Sequence, residues 1–277
     1  MMDRKSCSMN GGAGHLRHGP GLGFITLEDL NALTDENVES DMTSSEGYER
    51  EGTEIAEDDN QDRLLNYWQN IGRGHQIDIP REMAQPIQQL TADIESSPHR
   101  EQIPFTLVAR KEQGDGVACE KRVMDTACWA CITVTEDTYE KSICAGFMSI
   151  MRYICQQNTS GRYLGMTVPI VTVVRTDDAL SRLSREVRLA YCLPSCLQDQ
   201  PPLPTDPDIT LETWPATVLH SRAFTGPTNE ETVLHEIRAL AEILASPNLL
   251  SNTFVIAGYT SLAATHRHNE VWLLERQ

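Results

Sequence analysis

His266 and His268, with Arg267 between them, form the one close histidine pair of the chain. Two imidazoles so spaced in a loop can hold a metal, though such pairs are more often simply solvated. Cys128-x-x-Cys131 and Cys192-x-x-x-Cys196 have spacings used by metal and redox pairs. The first lies in a run rich in strand formers, where residues three apart point to opposite faces, so its sulfurs do not converge on one ion. Cysteine is commonly buried even when free. Neither His-Glu-x-x-His nor paired Cys-x-x-Cys occurs, so no zinc site is expected. The chain also lacks a Gly-x-Ser-x-Gly elbow, a phosphate-cradling glycine loop and a dinucleotide fingerprint. Gly19-x-Gly21-x-Gly23 has no preceding strand pattern. No catalytic constellation emerges, and a non-enzymatic protein is expected.

Two helices stand out among the elements that could position a binding site. The second, running to about Ala245 after Thr228-x-x-Glu231, carries one stripe of Val233, Leu234, Ile237, Leu240, Ala241 and Leu244, with charges opposite. It reads as a surface helix with one face on a sheet. The first, after Asp137-x-x-Glu140 and running to about Cys155, carries Ile143, Phe147, Ile150 and Ile154. Beside them lies a second apolar stripe of Cys144, Met148, Met151 and Cys155. Both tetrads resemble capping boxes. A helix apolar round so much of its circumference must be covered on more than one side. A deeper core position, a homodimer face, or a ligand groove with adaptable methionines all satisfy that requirement.

Strand-like runs surround the helices. Phe105–Ala109, Val117–Val123 and Ala127–Val134 precede the first, and Met166–Arg175 and Arg185–Leu193 follow it. A proline-rich connector spans Leu193–Pro207. Ile209–Phe224, a strand pair or one bent strand, precedes the second helix, and Thr253–Thr260 and Glu270–Glu275 follow it. The pattern is a duplicated strand–helix–strand–strand unit in an α+β domain, long enough for a single core.

The net charge of -17 is concentrated between Glu28 and Asp62, where 14 acidic residues face a single Arg50. Residues 1–101 read as an acidic, largely disordered leader. Short helical segments are expected at Leu64, Leu65, Tyr67, Trp68 and Ile71, and at Ile87, Leu90 and Ile94. No basic stripe suits nucleic acid, no apolar run suits a membrane helix, and no secretory signal is present. Eight cysteines without a secretory signal suit a reducing compartment, so a cytoplasmic location is expected. Arg4, Lys5 and Arg17 leave a mitochondrial presequence open.

One resemblance sharpens this reading. Glu120-Lys121-Arg122-Val123 is followed by Trp129. Gly146-Phe147-Met148-x-x-Met151-Arg152-Tyr153-Ile154 comes next, then Asn158-x-x-Gly161-x-x-x-Gly165-Met166-Thr167-Val168-Pro169. The chain ends on Ala257-Gly258-Tyr259 through Asn269-Glu270-Val271-Trp272-Leu273. In order and spacing these resemble the SOUL/heme-binding protein family over residues 102–277. The resemblance implies a twisted antiparallel barrel-like sheet flanked by two helices, and non-covalent, non-catalytic binding of heme or a metal-free porphyrin in an apolar groove beside the first helix. Mapped onto this chain, the contacts are Cys144, Phe147, Met148, Met151 and Arg152, with Met166 and Tyr259. A loop over Ser261–His268 supplies His266, Arg267 and His268 where the family's lysine is replaced by Leu262-Ala263-Ala264. Val123 occupies the position of a histidine suggested as an iron ligand, so no strong axial ligand is expected. The tetrapyrrole is the expected partner. A protein partner, met through the apolar first helix and the acidic leader, is the alternative.

Overall fold

The computed structural model describes residues 53–74, 76–96, 100–114, 116–244, 249–259 and 268–275. The leader's first 52 residues and the loop positions His266 and Arg267 lie outside the described residues. The elements are α1 (Thr53–Gly74), a 3₁₀ turn (Arg81–Met83), α2 (Ala84–Ser96), β1 (Glu101–Gln102), β2 (Phe105–Gln113), β3 (Gly116–Met124) and β4 (Ala127–Thr135). Then come α3 (Tyr139–Cys155), β5 (Thr167–Val168), β6 (Ile170–Arg175), β7 (Glu186–Cys192), β8 (Ile209–Trp214), β9 (Thr217–Thr225), α4 (Glu230–Leu244), β10 (Leu249–Tyr259) and β11 (His268–Glu275).

The fold is α+β. One twisted antiparallel sheet of nine strands runs in the order β2-β3-β9-β11-β10-β6-β7-β4-β8, barrel-like but open between its edges β2 and β8. β1 and β5 form a separate short parallel pair. The duplication is visible in the pairing. β4-α3-β6-β7 and β9-α4-β10-β11 are equivalent units, and they meet where β6 pairs with β10, Val171 opposite Ala257. The run over residues 209–224 is two strands, because Pro215 cannot continue a ladder. β8 pairs with β4, whereas β9 joins β11 and β3. Edge strand β2 is exposed along its whole length, with Val108 at 54%. Register shifts at Leu107/Ala109 and Lys111/Glu112, together with Arg110 and Lys111, blunt that edge against further pairing.

Strand residues alternate between two cores with the period of a pleated strand. Phe254, Ile256, Val271 and Leu273 face the helices, whereas Val255, Ala257 and Trp272 face the other side, with Trp129 and Leu219. Trp129 stacks on Trp214 there, ring centroids 4.5 Å apart.

The helix starts differ from the two expected boxes. The cap of α3 is Thr138, whose hydroxyl accepts from the Lys141 amide at 3.2 Å, while Asp137 pairs with Lys141 instead. At α4, Asn229 Oδ1 accepts from the Thr232 amide at 2.9 Å. In each case the short side chain just before the helix reaches a free amide, and the residue one or two positions earlier does not.

Gly146 seats α3 on the sheet. A Cβ there would stand 2.5 Å from Leu189 Cδ1, and Leu189 is itself buried in the core. Gly146→Val is expected to push α3 off β7 and lower stability by about 1–3 kcal/mol, read as a fall in urea midpoint. An unchanged midpoint would mean that the seat is looser than the structure describes.

Candidate functional site

The candidate site starts at α3. With about 100° per residue, Cys144, Met148, Met151 and Cys155 lie roughly 140–180° round the helix from Gly146. They therefore point away from the sheet. That flank is not open: α2 packs on α3, and α1 packs on α2. Leu64, Leu65, Trp68, Met83, Ile87 and Leu90 from the leader share one buried cluster with Cys144, Met151 and Cys155. Cys144 and Met151 are 0% exposed, and Met148 is half-buried against the same cluster. The Cys155 thiol points at the Pro86 carbonyl at 3.6 Å. The expected short segments are thus helices of 22 and 13 residues. An isolated helix of 13 residues is marginal in water, and docking on α3 supplies for α2 what propensity does not.

At the end of the apolar flank sits Arg152, half-buried. Its Nη2 donates to Ser149 Oγ at 3.1 Å, and its Nη1 is 3.8 Å from Glu82 of the leader. Its Nε is buried with no hydrogen-bond partner among the described residues. A cleft lined by Gln61, Arg81, Glu82, Gln85, Arg152 and Gln157 opens beside it.

The opposite face of the sheet holds a second polar centre. Glu270 is 3% exposed. It accepts from Arg122 at 2.9 and 3.0 Å, from Trp272 Nε1 at 2.7 Å and from Tyr259 at 3.1 Å. His268 Nε2 stands 3.6 Å away. Burial alone raises the carboxyl, but the neighbouring His268 and the hydrogen bonds from Arg122 and Trp272 outweigh it and hold its pKa at about 2. The guanidinium of Arg122 lies 4.2 Å over the Phe105 ring and also meets Glu120.

The described candidates fall into two groups. Cys144, Phe147, Met148, Met151, Arg152 and Met166 lie on the helix side of the sheet. Tyr259 and His268 lie on the other side, rings 5.0 Å apart. The sheet separates the groups. Among the described residues no three His, Cys, Asp or Glu side chains cluster as metal ligands. Burial pushes the thiols of Cys131, Cys155 and Cys192 up to about 12, so they are protonated and unreactive at neutral pH.

The family model described as SOUL heme-binding protein matches residues 100–274. The chain belongs to that family. Heme-binding protein 1 of Sus scrofa is 25% identical over 176 residues, covering 62% of this chain and 91% of the relative. Heme-binding protein 2 of Homo sapiens is 26% identical over 160 residues, covering 57% of this chain and 78% of the relative. Among solved structures, the EcmrR C-terminal domain aligns with a TM-score of 0.41 at 11% identity, covering 57% of this chain and 98% of that one. The matched region begins after α2, so the helices that cover α3 lie outside it.

Sequence reasoning overlooked the Arg122–Glu270 pair, although both residues stood in quoted motifs. A charged residue inside an otherwise apolar strand end was the available signal. The depressed carboxyl has a testable consequence. Its stabilisation is full above the unfolded pKa, about 4.3, and is lost as pH falls towards 2. Glu270→Gln is expected to cost about 3 kcal/mol at pH 7 and to narrow the gap to wild type by pH 2.5, measured by urea unfolding across pH. A gap independent of pH would remove the carboxylate from this role.

Proposed function

We propose that the chain binds heme or a related tetrapyrrole non-covalently and without catalysis, chiefly by apolar burial against α3 and with no strong axial ligand. The observation that carries this reading is the second apolar flank of α3, Cys144, Met148 and Met151 ending at Arg152, in a family described as heme-binding. Burying a few hundred Å² of macrocycle at about 25 cal/mol per Å² yields roughly 5–10 kcal/mol before ordering costs, enough for micromolar binding. The acidic rim of a porphyrin would fall to Arg152, a residue suited to pairing with carboxylates.

In this reading α1 and α2 compete with the ligand, since they lie on the same flank. A macrocycle against Met148 and Met151 requires the leader to lift. A specific observation also favours a second reading: the flank already holds helices, as a protein-docking surface would. Self-association of an undocked chain with no porphyrin binding would favour that reading.

The test is a titration of the full chain with hemin and with metal-free protoporphyrin IX, followed by Soret absorbance and tryptophan quenching. One-to-one binding of both with similar Kd is expected. A large preference for hemin would overturn the absence of an axial ligand, and binding of neither would overturn the tetrapyrrole reading. Trp68→Asp, which places a charge in the buried face of α1, is expected to free the flank. If the leader is lifted a tenth of the time in the native chain, apparent affinity should rise about tenfold. Unchanged affinity, with the fold intact by far-ultraviolet circular dichroism, would show that the leader does not compete.

A further inference from the structure

The cleft between the leader and the last turn of α3 is separate from the apolar flank. Its volume is ≈ 370 Å³, within the range of about 300–1,000 Å³ common for small-ligand sites. Its wall mixes polar and apolar surface: Arg81, Glu82 and Gln85 with Ala84 and Pro86 on the leader side, Arg152, Gln156 and Gln157 from α3 and the turn after it. We propose that this cleft is a carboxylate-binding site, in which a ligand is clamped between Arg152 of the family domain and Arg81 of the leader.

The guanidinium of Arg152 is incompletely used. Ser149 takes one N–H, while Nε is buried without a partner among the described residues. A buried donor left unpaired is costly, and the Nε edge of a guanidinium is shaped for the two oxygens of a carboxylate. Glu82 does not fill that role. Its oxygen stands 3.8 Å from Nη1, and its side chain is 64% exposed, so it can swing aside. Arg81 is exposed on the same wall and forms no ion pair among the described residues. The two arginines leave an excess of positive charge over the single glutamate, and the glutamine amides add neutral donors at the rim.

The carboxylate has two sources: the acidic rim of a tetrapyrrole lying against α3, or a free small dicarboxylate. The first rests on the function proposed above, and the second does not. A free acid would bridge leader and domain and so reinforce docking of α1 and α2, whereas a tetrapyrrole against Met148 and Met151, which lifts the leader, would keep Arg152 alone.

The experiment titrates the full chain with succinate, with protoporphyrin IX and with its dimethyl ester, in wild type, Arg81→Gln and Arg152→Gln. Protease protection of the 53–96 segment is read alongside. Arg81 is exposed, so its variant carries no folding risk. Arg152→Gln should weaken either carboxylate ligand, and Arg81→Gln succinate alone, by about tenfold, the worth of a charge-assisted hydrogen bond, and both should leave the ester unaffected. Loss confined to protoporphyrin IX identifies the tetrapyrrole rim as the ligand, and loss confined to succinate identifies a free acid. Arginine-dependent succinate binding without any porphyrin binding would uphold the cleft and overturn the tetrapyrrole function. Porphyrin and ester binding equally in all three proteins, with no succinate binding, would overturn the cleft and leave that function standing. Binding of none of the three would overturn both.

Discussion

Helix α3 is apolar on two flanks, and that one constraint organises the molecule. A helix with one apolar stripe is complete when it lies on a sheet, as α4 does with Val233, Leu234, Ile237 and Leu240 buried. α3 is not complete in that way. Its sheet-facing side is closed by Leu189 against Gly146, a contact so close that no side chain fits between. Its other side would leave Cys144, Met151 and Cys155 in water, an apolar surface that must be covered or used. The leader covers it. Met83, Ile87 and Leu90 reach that cluster from α2 and its preceding turn, while Leu64, Leu65 and Trp68 come from α1 behind them. Residues that composition alone marks as a tail become part of the core.

The far face of the sheet follows a different logic. No described helix packs there, and the open edge β2 leaves Phe105, Leu107 and Val108 exposed. A carboxylate buried near that edge is tolerated only because donors surround it. Arg122, Trp272 and Tyr259 converge on Glu270, and their combined hydrogen bonds outweigh desolvation. Buried ion pairs are weak evidence for stability as such. This one has a structural consequence: it ties β3 to β11 across β9 and fixes Phe105 of the edge strand over the guanidinium.

Family membership and the cover on α3 bear on each other. The family match begins at residue 100, after the helices that close the flank. In the reading favoured here, ligand and leader share one surface, and the free energy that holds the leader down is subtracted from ligand affinity. In that reading the helical cover sets how often the surface is open to a ligand. At the cleft in the last turn of α3, Arg152 meets Glu82 of this cover at 3.8 Å.

Much of the architecture was legible in the order of residues. Period-2 runs and two apolar helices specified the repeated strand–helix–strand–strand unit, because strand alternation and helical stripes are local consequences of which side is buried. The excess apolar flank of α3 was equally visible, as was the demand for something to cover it. What covers it was decided only in three dimensions. Ile87 and Leu90 sit on a short helix stabilised by α3, where Pro86 meets Cys155 69 residues further along, and no local pattern encodes that partner. The same holds for Arg122 and Glu270, which are 148 residues apart in sequence. Their pairing depends on β9 lying between β3 and β11, a strand order that hydrophobic periodicity does not contain. Tyr259 and Met151 share a family motif set, yet they stand on opposite sides of the sheet, because sequence order records neighbours along the chain and the pleat decides which face each side chain takes.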